Sequence, residues 1–292
     1  MHKFLRAVGF SDITKEKLEE IFNKIVEHPT VQKSAEDSEG NEFAELTKEF
    51  GDFFGISLRG TFDENDEFHM DYYYPYFCGN TISTNEYPDI EKHAEKESYA
   101  GVCDEVRVGV TLIFYLQNVV DYLTEKNSHF YHMQKNGVIL GALSTDAKIL
   151  LPINKDERKY EQIEKQKLER NHLLAAARNG DEDAIENLTL EDIDTYSLLS
   201  RRITHEDILT IVESYFMPYG IESDQYTILG EIMNWKLLQN EYTGENVYTL
   251  DIVCNDIPFS VCINQKDLLG EPAVGRRFKG SIWLQGSICY ER

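Results

Sequence analysis

A chain of 292 residues, 41% hydrophobic and 12% aromatic, holds enough apolar side chains to build packed cores, which excludes whole-chain disorder, and at roughly 100–200 residues per domain its length suggests two domains. Its 52 acidic residues against 29 basic ones leave a net charge of −23, a field that repels phosphate backbones and anionic membrane surfaces and suits a basic partner, a divalent cation or a plainly solvated surface. The five cysteines, Cys78, Cys103, Cys254, Cys262 and Cys289, are odd in number and include no Cys-x-x-Cys pair, so they suggest neither a disulfide framework nor a zinc knuckle and fit the reduced thiols of a cytoplasm.

The first residues turn charged between Asp12 and Glu20, which leaves no room for the roughly 7–15-residue apolar core of a signal peptide. Leu18, Ile21, Phe22, Ile25 and Val26 recur at helical spacing, with Thr14 as cap and Pro29 as stop. Ser34–Asn41 reads as a polar loop, and Phe43, Leu46, Phe50 and Phe53 as a second short helix ending at Gly55. The pattern then becomes strand-like. Ile56–Phe62 alternates, Asp63–Asp66 reads as a hairpin turn, and Phe68–Phe77 is an aromatic strand that Pro75 pushes to a sheet edge.

Val106–Leu116 alternates over a long stretch, and Val138–Leu143 and Ile149–Ile153 give two further strands. The uncharged apolar run Val108–Val120 is shorter than the roughly 20 residues a membrane span needs, and reads as a buried strand passing into a helix. From Asn154 the composition shifts to Glu, Lys, Arg and Gln. Asn154 caps a long helix that Gly180 closes, and Thr189 and Thr204 open capping boxes, so 154–218 reads as a helical connector. The rest is strand: Tyr226–Gln239, then an apolar face of Tyr248, Leu250, Ile252 and Cys254. A tight Asn255-Asp256 turn leads to Ile257–Ile263, and a long last strand after Gly275 carries Gly280 and Gly286 on its apolar face.

The segments Met1–Ser11, Leu188–Tyr196 with Phe216–Ile221, and Gly275–Gly286 together resemble an uncharacterised family of bacterial proteins known only as a domain of unknown function. The resemblance spans most of the chain. It implies a cytoplasmic bacterial protein and brings no activity and no catalytic residue.

The expected fold is α+β: an N-terminal antiparallel or mixed sheet with helices over 1–153, a helical connector over 154–218, and a small all-β barrel over 219–292, an OB-like barrel being one form of it. His129 and His132 are the metal candidates, an i, i+3 pair that needs a third ligand; an ordinary loop pair is the plainer reading. The acidic run Asp181–Asp194 reads as amphipathic helix with a solvated face, or as a dock for a basic protein. Tyr72, Tyr74 and Tyr76 form an aromatic row suited to a peptide or glycan groove, against the plainer reading of one strand burying alternate rings. Arg277, Lys279 and Trp283 alternate on the last strand with Ser281, Gln285 and Ser287. Such a strip stacks single-stranded nucleic acid on OB-like barrels, but the net charge opposes that, and packing of Trp283 and the Arg stems on the neighbouring part of the chain is the stronger reading. No phosphate loop and no nucleophile elbow is present. The sequence therefore points to a non-catalytic cytoplasmic interaction module with a basic protein partner, without cofactor or membrane. A metal-assisted hydrolase in an inter-domain cleft and an oligonucleotide-binding barrel stand as alternatives.

Overall fold

The computed structural model describes residues 1–37, 40–92, 98–105, 107–127, 135–153, 169–170, 172–177, 180–190, 208–220 and 223–290. The chain opens with a 3₁₀-helix over Lys3–Val8 and helix α1 over Lys15–Glu27. The Thr14 hydroxyl accepts the Lys17 N–H as an N-cap, and Leu18, Ile21 and Ile25 form the buried stripe of α1. Four antiparallel strands follow, β1 (Val31–Glu36), β2 (Glu42–Gly51), β3 (Phe54–Phe62) and β4 (Phe68–Phe77), paired in that order with β4 at an edge, as Pro75 requires.

Two expectations fail here. Ser34–Asn41 is not all loop, since β1 continues to Glu36. The expected helix over Phe43–Gly55 is β2 and its turn into β3. The misleading spacing has a physical source, because the sheet is buried on both faces. Leu46 and Phe50 pack in the cluster that contains α1, while Phe43 enters the opposite core. Apolar residues on both faces break the simple alternation that marks a half-buried strand.

Next come β5 (Ile82–Thr84), β6 (Asp89–Lys92), β7 (Tyr99–Glu105), β8 (Val110–Leu116), helix α2 (Val119–Asn127) and β9 (Lys135–Leu150). The alternation over Val106–Leu116 spans a turn rather than one strand, with Gly109 at φ +73°. The two strands expected over Val138–Ile153 are the single β9, kept continuous by pairing along the last strand. The described parts of the expected connector are helical at 172–177, 182–190 and Ile208–Ile211, but its end, β10 (Tyr215–Pro218), is a strand. Asp181, not Thr189, supplies the cap there, accepting the Ala184 N–H. The capping positions Asn154 and Thr204 lie outside the described residues.

The remaining strands are β11 (Gln225–Gln239), β12 (Asn246–Cys254), β13 (Ile257–Asn264), β14 (Leu268–Leu269) and β15 (Arg277–Tyr290). Asn255 and Asp256, at φ +49° and +61°, make the expected tight turn between β12 and β13. Pairing β11–β12–β13–β9–β15 and back to β11 closes a five-stranded barrel, with one parallel seam where Ser260–Ile263 meets Gly141–Ser144. A small closed barrel was expected, but not its composition. Only four of its staves come from 219–292, and the fifth, β9, comes from before residue 153. Beyond the barrel, β15 also pairs with β8, which carries β7 and β6 outward.

One core fills the barrel and continues between β7, β8 and α2; a second lies between α1, the 3₁₀-helix, the four-stranded sheet and the outer barrel wall. The sheet and the barrel touch where β4 runs out, and Gly141 on β9 makes room for it: a Cβ there would stand 2.2 Å from the Phe77 carbonyl oxygen. Because that neighbour is backbone, Gly141→Ala is expected to destabilise the protein by about 1–3 kcal/mol, the usual cost of overpacking, read as a lowered midpoint in urea unfolding.

Candidate functional site

Strand alternation sends Phe54, Ile56 and Leu58 of β3 towards α1 and leaves Ser57 and Arg59 on the opposite face, which meets β8 and the start of α2. Arg59 is fully buried. Its Nε donates to Glu45 Oε2 at 2.6 Å, and Nη1 donates to the hydroxyls of Tyr72 at 3.2 Å and Tyr115 at 3.0 Å. Nη2 donates to the Tyr74 hydroxyl at 3.0 Å and to the carbonyls of Leu116 at 3.2 Å and Gln117 at 2.5 Å. The acceptors match the whole planar donor fork. The Tyr74 and Tyr115 ring centroids stand 4.7 and 5.4 Å from the guanidinium carbon, adding cation–π attraction. Burial opposes the charge, but the partners, Tyr115, Tyr74 and Glu45 foremost, outweigh it and hold the guanidinium above its ordinary value. Burial also raises the Tyr74 and Tyr115 phenols well above their ordinary value, so they remain neutral.

Beside this cluster, side-chain amides stand in for a missing neighbour strand at the edge of β4. Gln285 Nε2 donates to the Pro75 carbonyl at 2.9 Å, and Gln285 Oε1 accepts from the Phe77 N–H at 3.1 Å and from Gln117 Nε2 at 2.8 Å. Gln117 Nε2 also donates to the Phe77 carbonyl, and Ser287 donates to Gln117 Oε1. Tyr76 lies across Gly55, where a Cβ would run into the Lys48 carbonyl and stand 2.9 Å from the Tyr76 hydroxyl. Its hydroxyl is buried with no hydrogen-bond partner among the described residues. A cleft of about 120 Å³ opens here, with Lys33, Glu45, Thr47, Tyr76, Cys78 and Asp121 among its walls. The aromatic row is thus divided. Tyr74 bonds Arg59, Tyr72 is half-buried on the same partner, and Tyr74 and Tyr76 both line the cleft.

The strip on β15 is not a surface. Trp283 is buried against His2, Phe4 and Tyr115, and its indole N–H donates to Asp224 at 2.6 Å. Lys279 is half-buried, directly opposite Leu229 and Lys148 in the ladders. Arg277 is buried, donating to the Leu151 carbonyl at 3.1 Å and the Val212 carbonyl at 3.0 Å. Burial lowers its pKa against the field of Glu213 and Glu231, and it forms one wall of a second, larger cleft of about 340 Å³. That cleft also presents Glu213, Glu231, Asp256, Met233 and Val253.

His129 and His132 lie outside the described residues. Among the described residues one group has metal-ligand spacing, Asp63, Glu67 and His69 at the β3–β4 turn. The turn itself accounts for the grouping. Asp63 accepts the N–H of Glu67 and of Asn65 and contacts His69 Nε2 at 3.1 Å, and these bonds, the Glu67 N–H first, pull its carboxyl down to about 2.

Residues 5–286 match the family described as "Domain of unknown function, E. rectale Gene description (DUF3881)". The chain belongs to this family. It is an uncharacterised bacterial family, and its description assigns no activity. The chain has no significant match to a curated protein or to a solved structure. No helix among the described residues is long and apolar enough to cross a membrane.

Sequence reasoning singled out Tyr72 and Tyr74 and missed Arg59, their common partner, as it missed Tyr115, the third phenol on the same guanidinium. The available signal was a lone arginine at an inward-alternating position in Phe54–Phe62, one hairpin away from three tyrosines at matching parity. Arg59→Met leaves the Glu45 carboxylate and three phenols without their cation and is expected to cost about 3–5 kcal/mol in urea unfolding, part of which Arg59→Met/Glu45→Gln recovers. Burial, the first cause at each, raises the thiols of Cys78, Cys103 and Cys254 to about 12. Iodoacetamide at pH 8 is expected to leave these three unmodified in the native protein and to alkylate them after unfolding, as read by peptide mass spectrometry.

Proposed function

We propose that this chain is a non-catalytic interaction module that docks a basic segment of a protein partner in the larger cleft. The observation that carries the reading is the lining of that cleft, where three carboxylates, Glu213, Glu231 and Asp256, stand against one guanidinium, Arg277, beside the apolar surface of Met233, Val253 and Ile153. A volume of about 340 Å³ is of the size that holds one long side chain with its neighbours. The arginine is already tied to two backbone carbonyls, so an incoming cation meets a net negative wall. The net charge of −23 adds long-range attraction for a basic partner. Exposed Trp235 and Leu237 continue the same strand beyond Met233 and extend the apolar surface available to a partner. Five cysteines with no disulfide among them fit a cytoplasmic setting. With Trp283 and Arg277 buried, the nucleic-acid reading loses the strip on which it depended.

The test is fluorescence anisotropy of a labelled Lys- and Arg-rich peptide with interspersed leucines. Saturable binding at low salt is expected, weakening as salt screens the carboxylates. Glu213→Lys/Glu231→Lys is expected to weaken it at least tenfold, while Asp89→Lys/Glu91→Lys on the remote strand β6 changes it by less than twofold. Absence of binding at low salt, or equal loss in both variants, sinks the proposal.

A further inference from the structure

The residues before α1 cross the outer wall of the barrel as a strap. Phe4, Leu5, Ala7 and Val8 of the 3₁₀-helix are buried there, in one cluster with Leu143, Val247, Cys262 and Trp283 of the barrel. The barrel meets the strap's carbonyls one by one. Asn264 Nδ2 donates to Arg6 at 3.1 Å, the Cys262 thiol to Ala7 at 3.4 Å, Asn240 Nδ2 to Val8 at 2.7 Å and the Thr243 hydroxyl to Gly9 at 2.6 Å. Charged groups tie the middle and the far end. Arg6 pairs with Asp267, and Glu245 accepts from Ser11, Asn264 and Lys266.

The near end is held by a single titratable ring. His2 stacks at 4.8 Å on the Trp283 indole and at 5.9 Å on Phe4, and its Nδ1 accepts the Phe4 N–H at 3.4 Å as the cap of the 3₁₀-helix. That bond needs the Nδ1 lone pair, which an imidazolium lacks. The groups around the ring are the amino terminus and Lys3 on its own segment and the Tyr73 hydroxyl of β4, which accepts the His2 N–H. Across the indole stand Asp224, which the Trp283 N–H engages, and Tyr115. Burial, then Lys3 and the amino terminus, pulls the His2 imidazole from 6.5 down to about 4. At Glu245 burial pushes the carboxyl up, but bonds from Lys266, Ser11 and Asn264 outweigh it and hold it below its ordinary value. The far end therefore stays tied in mild acid, where an undocked His2 takes up its proton.

We propose that His2 is a pH-operated latch, whose protonation releases the first half of the strap from the barrel wall and uncovers Trp283 and Cys262. The docked state binds fewer protons than the released one. Its stability is complete above pH 6.5 and is lost as the pH falls towards about 4, the released-to-docked ratio rising about tenfold per pH unit. The latch is independent of the peptide-docking cleft, none of whose walls belongs to the strap.

The test is labelling of the full chain with 4,4′-dithiodipyridine between pH 7 and pH 4.5, read at Cys262 by peptide mass spectrometry. Dividing the rate in urea by the native rate at the same pH removes the thiol's own titration and gives a protection factor. Protection of Cys262 is expected to fall about tenfold per pH unit below pH 6.5. Cys254, inside the barrel core, is expected to stay protected over the same range. His2→Asn keeps an acceptor for the Phe4 N–H and carries nothing that titrates, so its Cys262 protection is expected to be flat. His2→Gln gives the same measurement if circular dichroism shows that the first variant does not fold. A flat profile in the unaltered chain, as an imidazolium held on Trp283 by cation–π attraction would give, overturns the proposal. So does an equal fall in His2→Asn, or loss of protection at Cys254 together with Cys262, which reports opening of the whole barrel.

Discussion

A single buried cation holds the two halves of this molecule in register. Arg59 sits on the four-stranded sheet, yet two of its acceptors are main-chain carbonyls of Leu116 and Gln117, where β8 turns towards α2, and a third is Tyr115. Water could replace these bonds only if the interface opened, because Arg59 has no exposed surface. The desolvation of a guanidinium is large, so the arrangement is stable only with every donor met, and this holds the sheet against the end of β8 more tightly than apolar packing alone. The neighbouring glutamines act in the same direction. Gln285 reaches from the barrel to the edge of β4, supplying the donor and acceptor that a further strand would have given.

The long β9–β15 ladder is the second constraint. It joins a strand from the first half of the chain to the last strand, and at its two ends β15 serves different neighbours, β11 near Arg277 and β8 near Gln285. Both clefts lie where this ladder meets something else. The larger one is beside Arg277 at the start of β15, and the smaller one is beside Ser287 near its end.

Much of the fold was legible locally. The apolar stripe and Thr14 cap of α1, the Asp63–Asp66 hairpin, the edge position of Pro75 and the Asn255-Asp256 turn all follow from side-chain stereochemistry within a few residues, and all are present. The failures fall where burial was two-sided or pairing was distant. Phe43, Leu46 and Phe50 imitate a helix because β2 serves two cores, and β9 was split in two because nothing local says that the last strand, β15, runs along its whole length. The site was legible in part. The tyrosine row and the β15 strip were visible as residue types, but alternation alone could not say which rings would be buried or that Trp283 would pack under the N-terminal segment.

By itself the sequence determined the α+β class, the acidic field, the separated thiols and the family, because these depend on composition and on short-range pattern. The tertiary structure alone decided that β9 completes the barrel, that Arg59 gathers three tyrosines and Glu45, and that Tyr76 is left without a partner at the wall of a cleft. The reason is physical. Hydrogen-bond satisfaction and desolvation are properties of groups brought together from distant parts of the chain, and no window of sequence contains both members of such a pair.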